Sequence, residues 1–160
     1  MDKIKVAGYV KLAKKWEKRE PVAKAYHHVY YTKKFEDTEY QLVDVYIDIT
    51  GNKEIYKRPE MVRLIKDCRE GKIDCIAAQT RAYIAANIRE FCYLIYKLFE
   101  MGTKIDIITE DNDRNYNIDT ATNMSNQRED LHNMAAKYIS LNPADYCEWA
   151  VEIDRAIREL

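Results

Sequence analysis

The sequence predicts an α/β fold of three layers, α/β/α, in which helices cover both faces of a mainly parallel central sheet. Segments with strand-like and helix-like apolar patterns alternate along roughly the first two thirds of the chain. This alternation is typical of parallel sheets, because each crossover between parallel strands usually contains a helix. The length of 160 residues suits one such core.

Four strands are predicted from short apolar or alternating segments. Residues 4–10, 73–78 and 104–109 are short, mainly apolar segments. In 42–49, Val43, Val45 and Ile47 fall on one side of an extended chain. We expect four parallel strands, with 73–78 inside the sheet rather than at its edge.

Three helices are predicted between these strands. Proline suits a first helical residue, and glycine suits the left-handed residue that follows a helix end. Pro21 and Pro59 therefore predict helix starts, and Gly71 and Gly102 predict helix ends. Apolar residues recur at helical spacing in each segment: Val22, Tyr26, Val29 and Tyr30 in the first, Met61, Leu64, Ile65 and Cys68 in the second, and Ile88, Phe91, Cys92, Ile95, Leu98 and Phe99 in the third.

The last forty residues predict a helical extension. Residues 110–126 are polar and are predicted to form a loop, and Leu131, Met134, Ala135 and Tyr138 predict one helix face. Asn142-Pro143 predicts the start of a final helix, with an apolar stripe of Tyr146, Trp149, Ala150, Ile153, Ile157 and Leu160. Two domains follow: 1–122, the α/β domain, and 123–160, the C-terminal helices.

The stripe on the final helix has two possible partners. It packs back on its own domain over the helix at 87–101, or it contacts a second copy of the chain. In the second case Tyr146, Trp149, Ile153 and Ile157 would be interface residues, and an aromatic residue such as Trp149 is a typical interface anchor.

Charge is unevenly distributed although the net charge is -1. Residues 1–40 hold ten Lys and Arg against six Asp and Glu, whereas 105–160 hold five against twelve. The basic residues concentrate in Lys11, Lys14, Lys15, Lys18 and Arg19. This group predicts either a phosphate-facing patch or a solvated loop and helix start.

Cofactors, metals and membranes are not expected. The four cysteines, Cys68, Cys75, Cys92 and Cys147, form no C-x-x-C pair and are predicted to be buried in the core. The four glycines form no phosphate-binding loop. The apolar runs are too short to span a bilayer, and the N-terminus lacks the pattern of a signal peptide, which predicts a cytoplasmic protein.

Several motifs resemble the catalytic domain of serine recombinases, the resolvase/invertase family. Tyr9-Val10-Lys11-Leu12-Ala13 is similar to the family's Tyr-x-Arg-Val-Ser, and Asp48-Ile49-Thr50-Gly51 to its Asp and Ser-Gly. Residues 58–65, which open with Arg58-Pro59, and 70–74, with Gly71-Lys72-Ile73-Asp74, carry the most specific likeness. Thr109-Glu110 and Ile118-Asp119-Thr120 also match. The resemblance implies a resolvase-like fold and a function in DNA recombination.

The same resemblance implies a degenerate active site. Ala13 stands where the family's serine attacks a DNA phosphodiester, and Lys11 replaces an arginine. With Asn87 as the anchor of the family's K-x-x-x-R-x-x-R-N cluster, Gln79, Tyr83 and Ala86 replace its lysine and both arginines. Of these positions Arg58 alone is unchanged, while Thr50 replaces the serine before Gly51. No catalytic set is therefore predicted to be intact.

Contact with DNA is expected to be weak and strongly dependent on salt. The candidate phosphate contacts are Lys11, Lys14, Lys15, Arg58 and Arg81. A homodimer or a partner recombinase is a further expected partner, because the family's long helix dimerises.

Three functions are compatible with these residues. The domain is a catalytically inactive interaction or regulatory module, a pseudoenzyme related to DNA recombination and mobile elements. Alternatively, it is an active recombinase fragment with a rearranged site, and only this alternative leaves a covalent protein–DNA species. The third is a flavodoxin-like domain that binds a small ligand at the carboxyl ends of the strands.

Overall fold

A four-stranded parallel sheet forms the centre of the protein. The computed structural model describes residues 2–102, 105–110 and 121–160, with side chains in the last segment from residue 129. The strands are β1 (Ile4–Leu12), β2 (Tyr40–Ile49), β3 (Cys75–Ala78) and β4 (Asp106–Thr109), in the order β2-β1-β3-β4. All three pairings are parallel. The predicted sheet is confirmed, with β3 in its interior.

Helices cover the two faces of the sheet unequally. The helices are α1 (Glu20–Phe35), α2 (Pro59–Arg69), α3 (Arg81–Ile84), α4 (Ile88–Glu100), α5 (Ala121–Leu141) and α6 (Pro143–Arg158). Two short 3₁₀ helices, Lys14–Arg19 and Ile55–Lys57, precede α1 and α2. Residues of α1 contribute to a smaller core on one face, and those of α2, α4, α5 and α6 to a larger core on the other. The predicted α/β/α layering is confirmed.

The local start and stop signals explain α2 and α4. Pro59 lies in the first turn of α2 and, after the helix, Gly71 adopts φ +77°. Asn87 caps α4 by accepting a hydrogen bond from the Glu90 amide, and Gly102 follows that helix with φ +84°. Both glycines take the left-handed conformation that other residues rarely adopt, so these predicted ends are confirmed.

The α1 helix is present, but its predicted face is wrong. The residues it buries are Ala23, His27, Tyr31 and Phe35, whereas Val22, Tyr26 and Val29 are exposed. The reason lies in β1: a Cβ added to Gly8 would lie 2.8 Å from Cδ2 of Tyr31. The Tyr31 ring occupies the space that the missing side chain leaves, and this contact sets the rotation of the helix about its axis.

We expect Gly8→Ala to destabilise the protein because Tyr31 is buried and cannot move away freely. The loss in free energy of unfolding should be about 1–3 kcal/mol, as for other overpacked cores, measured by urea denaturation. Gly51→Ala is the matched control, since a Cβ there meets no atom within 4 Å. Equal losses in the two variants would contradict this account of the helix orientation.

The C-terminal helices join the larger core. Helix α6 buries Tyr146, Trp149, Ala150, Ile153 and Ile157, while Leu160 is exposed. The apolar stripe of α6 is therefore covered by other parts of the same chain. Residues 146, 149, 153 and 157 are buried in the structure. Helix α5 contributes Ala135 and Ile139 to the same core. The predicted division after residue 122 stays a prediction.

Three further sequence expectations differ from the structure or lie beyond it. The loop predicted for 110–126 gives way to α5 at Ala121, and 111–120, with the Ile118-Asp119-Thr120 match, lie outside the described residues. Cys68, Cys75 and Cys92 are buried, but Cys147 is exposed because it lies on the solvent side of α6.

Among the described residues, no helix combines the length and apolar character needed to cross a membrane.

Candidate functional site

The predicted site residues meet at the edge of the sheet where the parallel strands end. Lys11 lies opposite Asp48 in the β1–β2 pairing, and Ala13 and Thr50 follow those strands directly. The Thr50 amide donates to the Leu12 carbonyl at 2.9 Å, which holds the two strand ends together. Carboxyl ends of parallel strands are the usual place for a site in such folds.

Arg58 is fully buried between this edge and α3. One guanidinium nitrogen, Nη1, donates to the carbonyls of Tyr83 at 2.8 Å and Ile84 at 2.9 Å. The other, Nη2, donates to the Lys53 carbonyl at 2.6 Å. The side chain therefore ties the loop before α2 to α3. The side chain is fully buried in this structure, and its contact with DNA stays a prediction.

Asp48 is the centre of a buried hydrogen-bond network. The motifs did not identify this residue as part of the site. Its carboxylate accepts the amides of Glu60 and Met61 at the start of α2, both at 2.9 Å. It also accepts a hydrogen bond from the Tyr9 hydroxyl at 2.8 Å. A negative charge at a helix N-terminus is stabilised by the unpaired amides there. The signal in the sequence is a lone carboxylate within the apolar strand 45–49.

The electrostatics of the edge follow from these contacts. Burial raises the pKa of the Tyr9 hydroxyl, and the adjacent Asp48 carboxylate raises it further, so the phenol stays protonated. Burial also lowers the pKa of Lys11, and the positive charge of Arg58 adds to this effect. The Lys11 ammonium lies 3.4 Å from the Thr50 carbonyl oxygen.

Of the remaining predicted positions, three are exposed and the fourth contributes a backbone carbonyl. Ala13 is exposed and has no nucleophilic atom. Tyr83 supplies its carbonyl to Arg58, and Ala86 is exposed. Gly51 is exposed in the turn after Thr50, whose hydroxyl accepts the Asn52 amide at 3.1 Å.

The other predicted phosphate-contacting cations lie outside the buried network. Lys14 and Lys15 are exposed at the start of the first 3₁₀ helix, directly after Ala13. Arg81 is half-buried, with its guanidinium 5.6 Å from the centre of the Phe91 ring. No group of three or more His, Cys, Asp or Glu in the part of the chain that the structure describes is arranged to hold a metal ion.

The parallel sheet, with helices on both faces and the candidate residues at the carboxyl ends of its strands, defines an α/β domain with a strand-end site. A family profile described as "Resolvase, N terminal domain" matches residues 24–145, about three quarters of the chain. The chain belongs to this family, which confirms the resemblance drawn from the motifs.

Two solved structures are similar in fold. The N-terminal catalytic domain of TP901-1 integrase is 22% identical over 86% of this chain and 98% of that one, with a TM-score of 0.55. A resolvase family site-specific recombinase from Streptococcus pneumoniae is 14% identical over 93% and 99% of the two chains, with a TM-score of 0.50. No curated protein sequence matches the chain.

Proposed function

We propose that this domain is a catalytically inactive member of its family that acts as an interaction or regulatory module in DNA recombination. The observation that carries the proposal is Ala13 at the end of β1, where the resemblance places the serine nucleophile. Strand cleavage by that chemistry needs an oxygen that attacks phosphorus and expels a deoxyribose hydroxyl. The methyl side chain of alanine has no such atom.

The loss extends beyond the nucleophile. Phosphoryl transfer needs preorganised cations around the phosphate oxygens, each worth several kcal/mol of transition-state stabilisation. Tyr83 and Ala86 replace two of the family's arginines, and Nη1 and Nη2 of Arg58 donate to backbone carbonyls, whereas its buried Nε has no partner among the described residues. A single added hydroxyl at position 13 would still lack the groups that stabilise the developing charge.

A rearranged active site is the second candidate, and one observation favours it. Burial lowers the pKa of Lys11, and its ammonium contacts the backbone carbonyl of Thr50, a residue whose side chain bears a hydroxyl. A lysine in its uncharged amine form can accept a proton from an attacking hydroxyl group. In this alternative, Thr50 would form the covalent bond to DNA.

A covalent-trapping experiment decides between the two. The full chain is incubated with supercoiled plasmid and quenched with denaturant, and nicked or protein-linked DNA is measured beside an active recombinase of the family. We expect no cleavage above background from the unmodified chain or from Ala13→Ser. Protein-linked DNA that disappears in Thr50→Ala or Lys11→Ala would contradict the proposal and favour the rearranged site.

A further inference from the structure

An apolar surface on α1 remains uncovered in the structure. Val22, Tyr26 and Val29 are 58%, 62% and 53% exposed, and their spacing of four and three residues places them on one helix face. Trp16, on the preceding 3₁₀ helix, is 37% exposed. We call these four residues the α1 surface. Contiguous exposed apolar residues of this kind commonly mark a binding site.

A cavity opens in this surface between the end of β1 and α1. Its volume is about 300 Å³, and it is lined by Leu12, Trp16, Val22, Ala23, Tyr26 and His27. The lining is almost wholly apolar. A volume of this size accommodates a bulky apolar side chain.

His27 lines the cavity and contains a buried polar atom without a partner in the described part of the chain. Its side chain is only 7% exposed, and Nδ1 has no hydrogen-bond partner in the described part of the chain. Burial lowers the pKa of the imidazole, so the ring is neutral near pH 7 and has one donor and one acceptor nitrogen. This nitrogen is closed off from the cavity, so His27 contributes the apolar part of its ring to the lining.

Positive charge borders the α1 surface. Residues 14–24 hold five exposed cations, Lys14, Lys15, Lys18, Arg19 and Lys24, against Glu17 and Glu20. Glu20 is already paired with Lys24 at 2.8 Å, which leaves the 3₁₀ helix with an excess of cations. Complementary charge on a partner would speed encounter and fix its orientation.

We propose that the α1 surface docks an acidic amphipathic helix of a partner protein, with one bulky apolar side chain of that helix in the cavity. The inference rests on the proposed function, in which the domain acts by binding another protein. A partner helix suits the surface because its anchors at i, i+4 and i+7 match the spacing of Val22, Tyr26 and Val29.

Two other occupants fit the surface less well. Duplex DNA would use the cations, but its phosphates gain nothing from the exposed valines. A second copy would have to offer an acidic apolar helix, and the acidic helix α6 already buries its stripe of Tyr146, Trp149 and Ile153 in its own core.

Selection from a display library of helical 16-residue peptides tests the proposal on the full chain. We expect enriched peptides with a net negative charge and apolar residues at helical spacing. Val22→Ser and Tyr26→Ser replace exposed residues and should keep the fold, verified by circular dichroism, while each weakens peptide binding at least about tenfold. Val151→Ser, at a comparably exposed position on α6, is the matched control and should bind as the unmodified chain does.

Several outcomes would overturn the docking site. One is a selection that enriches no peptide, and another is that the enriched peptides bind the Tyr26→Ser variant as tightly as the unmodified chain. Displacement of the peptides by duplex DNA at equal charge concentration is the third such outcome. If sedimentation shows that the unmodified chain is a dimer and that Tyr26→Ser is a monomer, the surface binds a second copy instead. Plasmid cleavage by the chain would refute the proposed function and leave the peptide result unchanged, so the two failures are distinguishable.

Discussion

Replacing Arg58 with alanine is expected to lower the free energy of unfolding by about 3–5 kcal/mol. The guanidinium donates to the carbonyls of Lys53, Tyr83 and Ile84 and is fully buried. Its loss leaves these acceptors without their charged donor and creates a cavity at the strand ends. Since small domains have a total stability of about 5–15 kcal/mol, the variant should unfold at markedly lower urea concentration.

Arg89→Ala is the matched control for Arg58→Ala. The Arg89 side chain is exposed, and its 2.8 Å ion pair with Asp145 lies at the surface. Such pairs contribute about 0–1 kcal/mol, so this variant should unfold close to the unmodified chain. An Arg58→Ala protein as stable as the unmodified chain would refute the structural role of Arg58.

Trp149→Ala is expected to cost about 3–5 kcal/mol of unfolding free energy, as for other buried aromatic residues. The indole is buried, and its ring centre lies 5.7 Å from that of Tyr93 and 6.2 Å from that of Tyr146. Its Nε1 donates to the buried Glu90 carboxylate at 3.0 Å. The same carboxylate oxygen accepts the Ile55 amide, so the substitution removes one of two donors from a buried charge.

Trp149→Phe and Val151→Ala separate the contributions on α6. Phenylalanine keeps most of the volume and removes the donor to Glu90, so an intermediate loss of about 1–3 kcal/mol is expected. Val151 is exposed on the same helix, and Val151→Ala should stay within about 0.5 kcal/mol of the unmodified chain. If Trp149→Ala kept full stability and instead dissociated a dimer in sedimentation, the intramolecular role of α6 would be wrong.

Helix ends and strand positions were predictable wherever a local signal was strong. Pro59 and Gly71 bound α2 within a residue or two, since a missing amide and a left-handed backbone are properties of the residue itself. The apolar stripes of α4 and α6 predict most of their buried faces, although Ile88 and Leu160 are exposed and α4 also buries Tyr93 and Leu94. In these segments the helix-end residues and the apolar spacing favour one arrangement over any other.

The candidate site was predictable as a location but not as a set of interactions. The motifs place Lys11, Thr50 and Arg58 near one another, and the structure agrees. That Arg58 donates to three carbonyls depends on the path of backbone segments at Lys53 and at Tyr83–Ile84, far apart in sequence. Backbone acceptors are present at every residue, so the sequence contains no sign of which ones a guanidinium will meet.

By itself, the sequence determined the order of strands and helices and the absence of a serine at position 13, because both are properties of single residues and short spacings. The tertiary structure alone decided which face of α1 is buried. Two stripes on that helix are comparable in apolar character, and the contact of Tyr31 with Gly8 across the sheet selects one of them. The stripe left over is the α1 surface, which exists because packing against β1 could satisfy only one face of the helix.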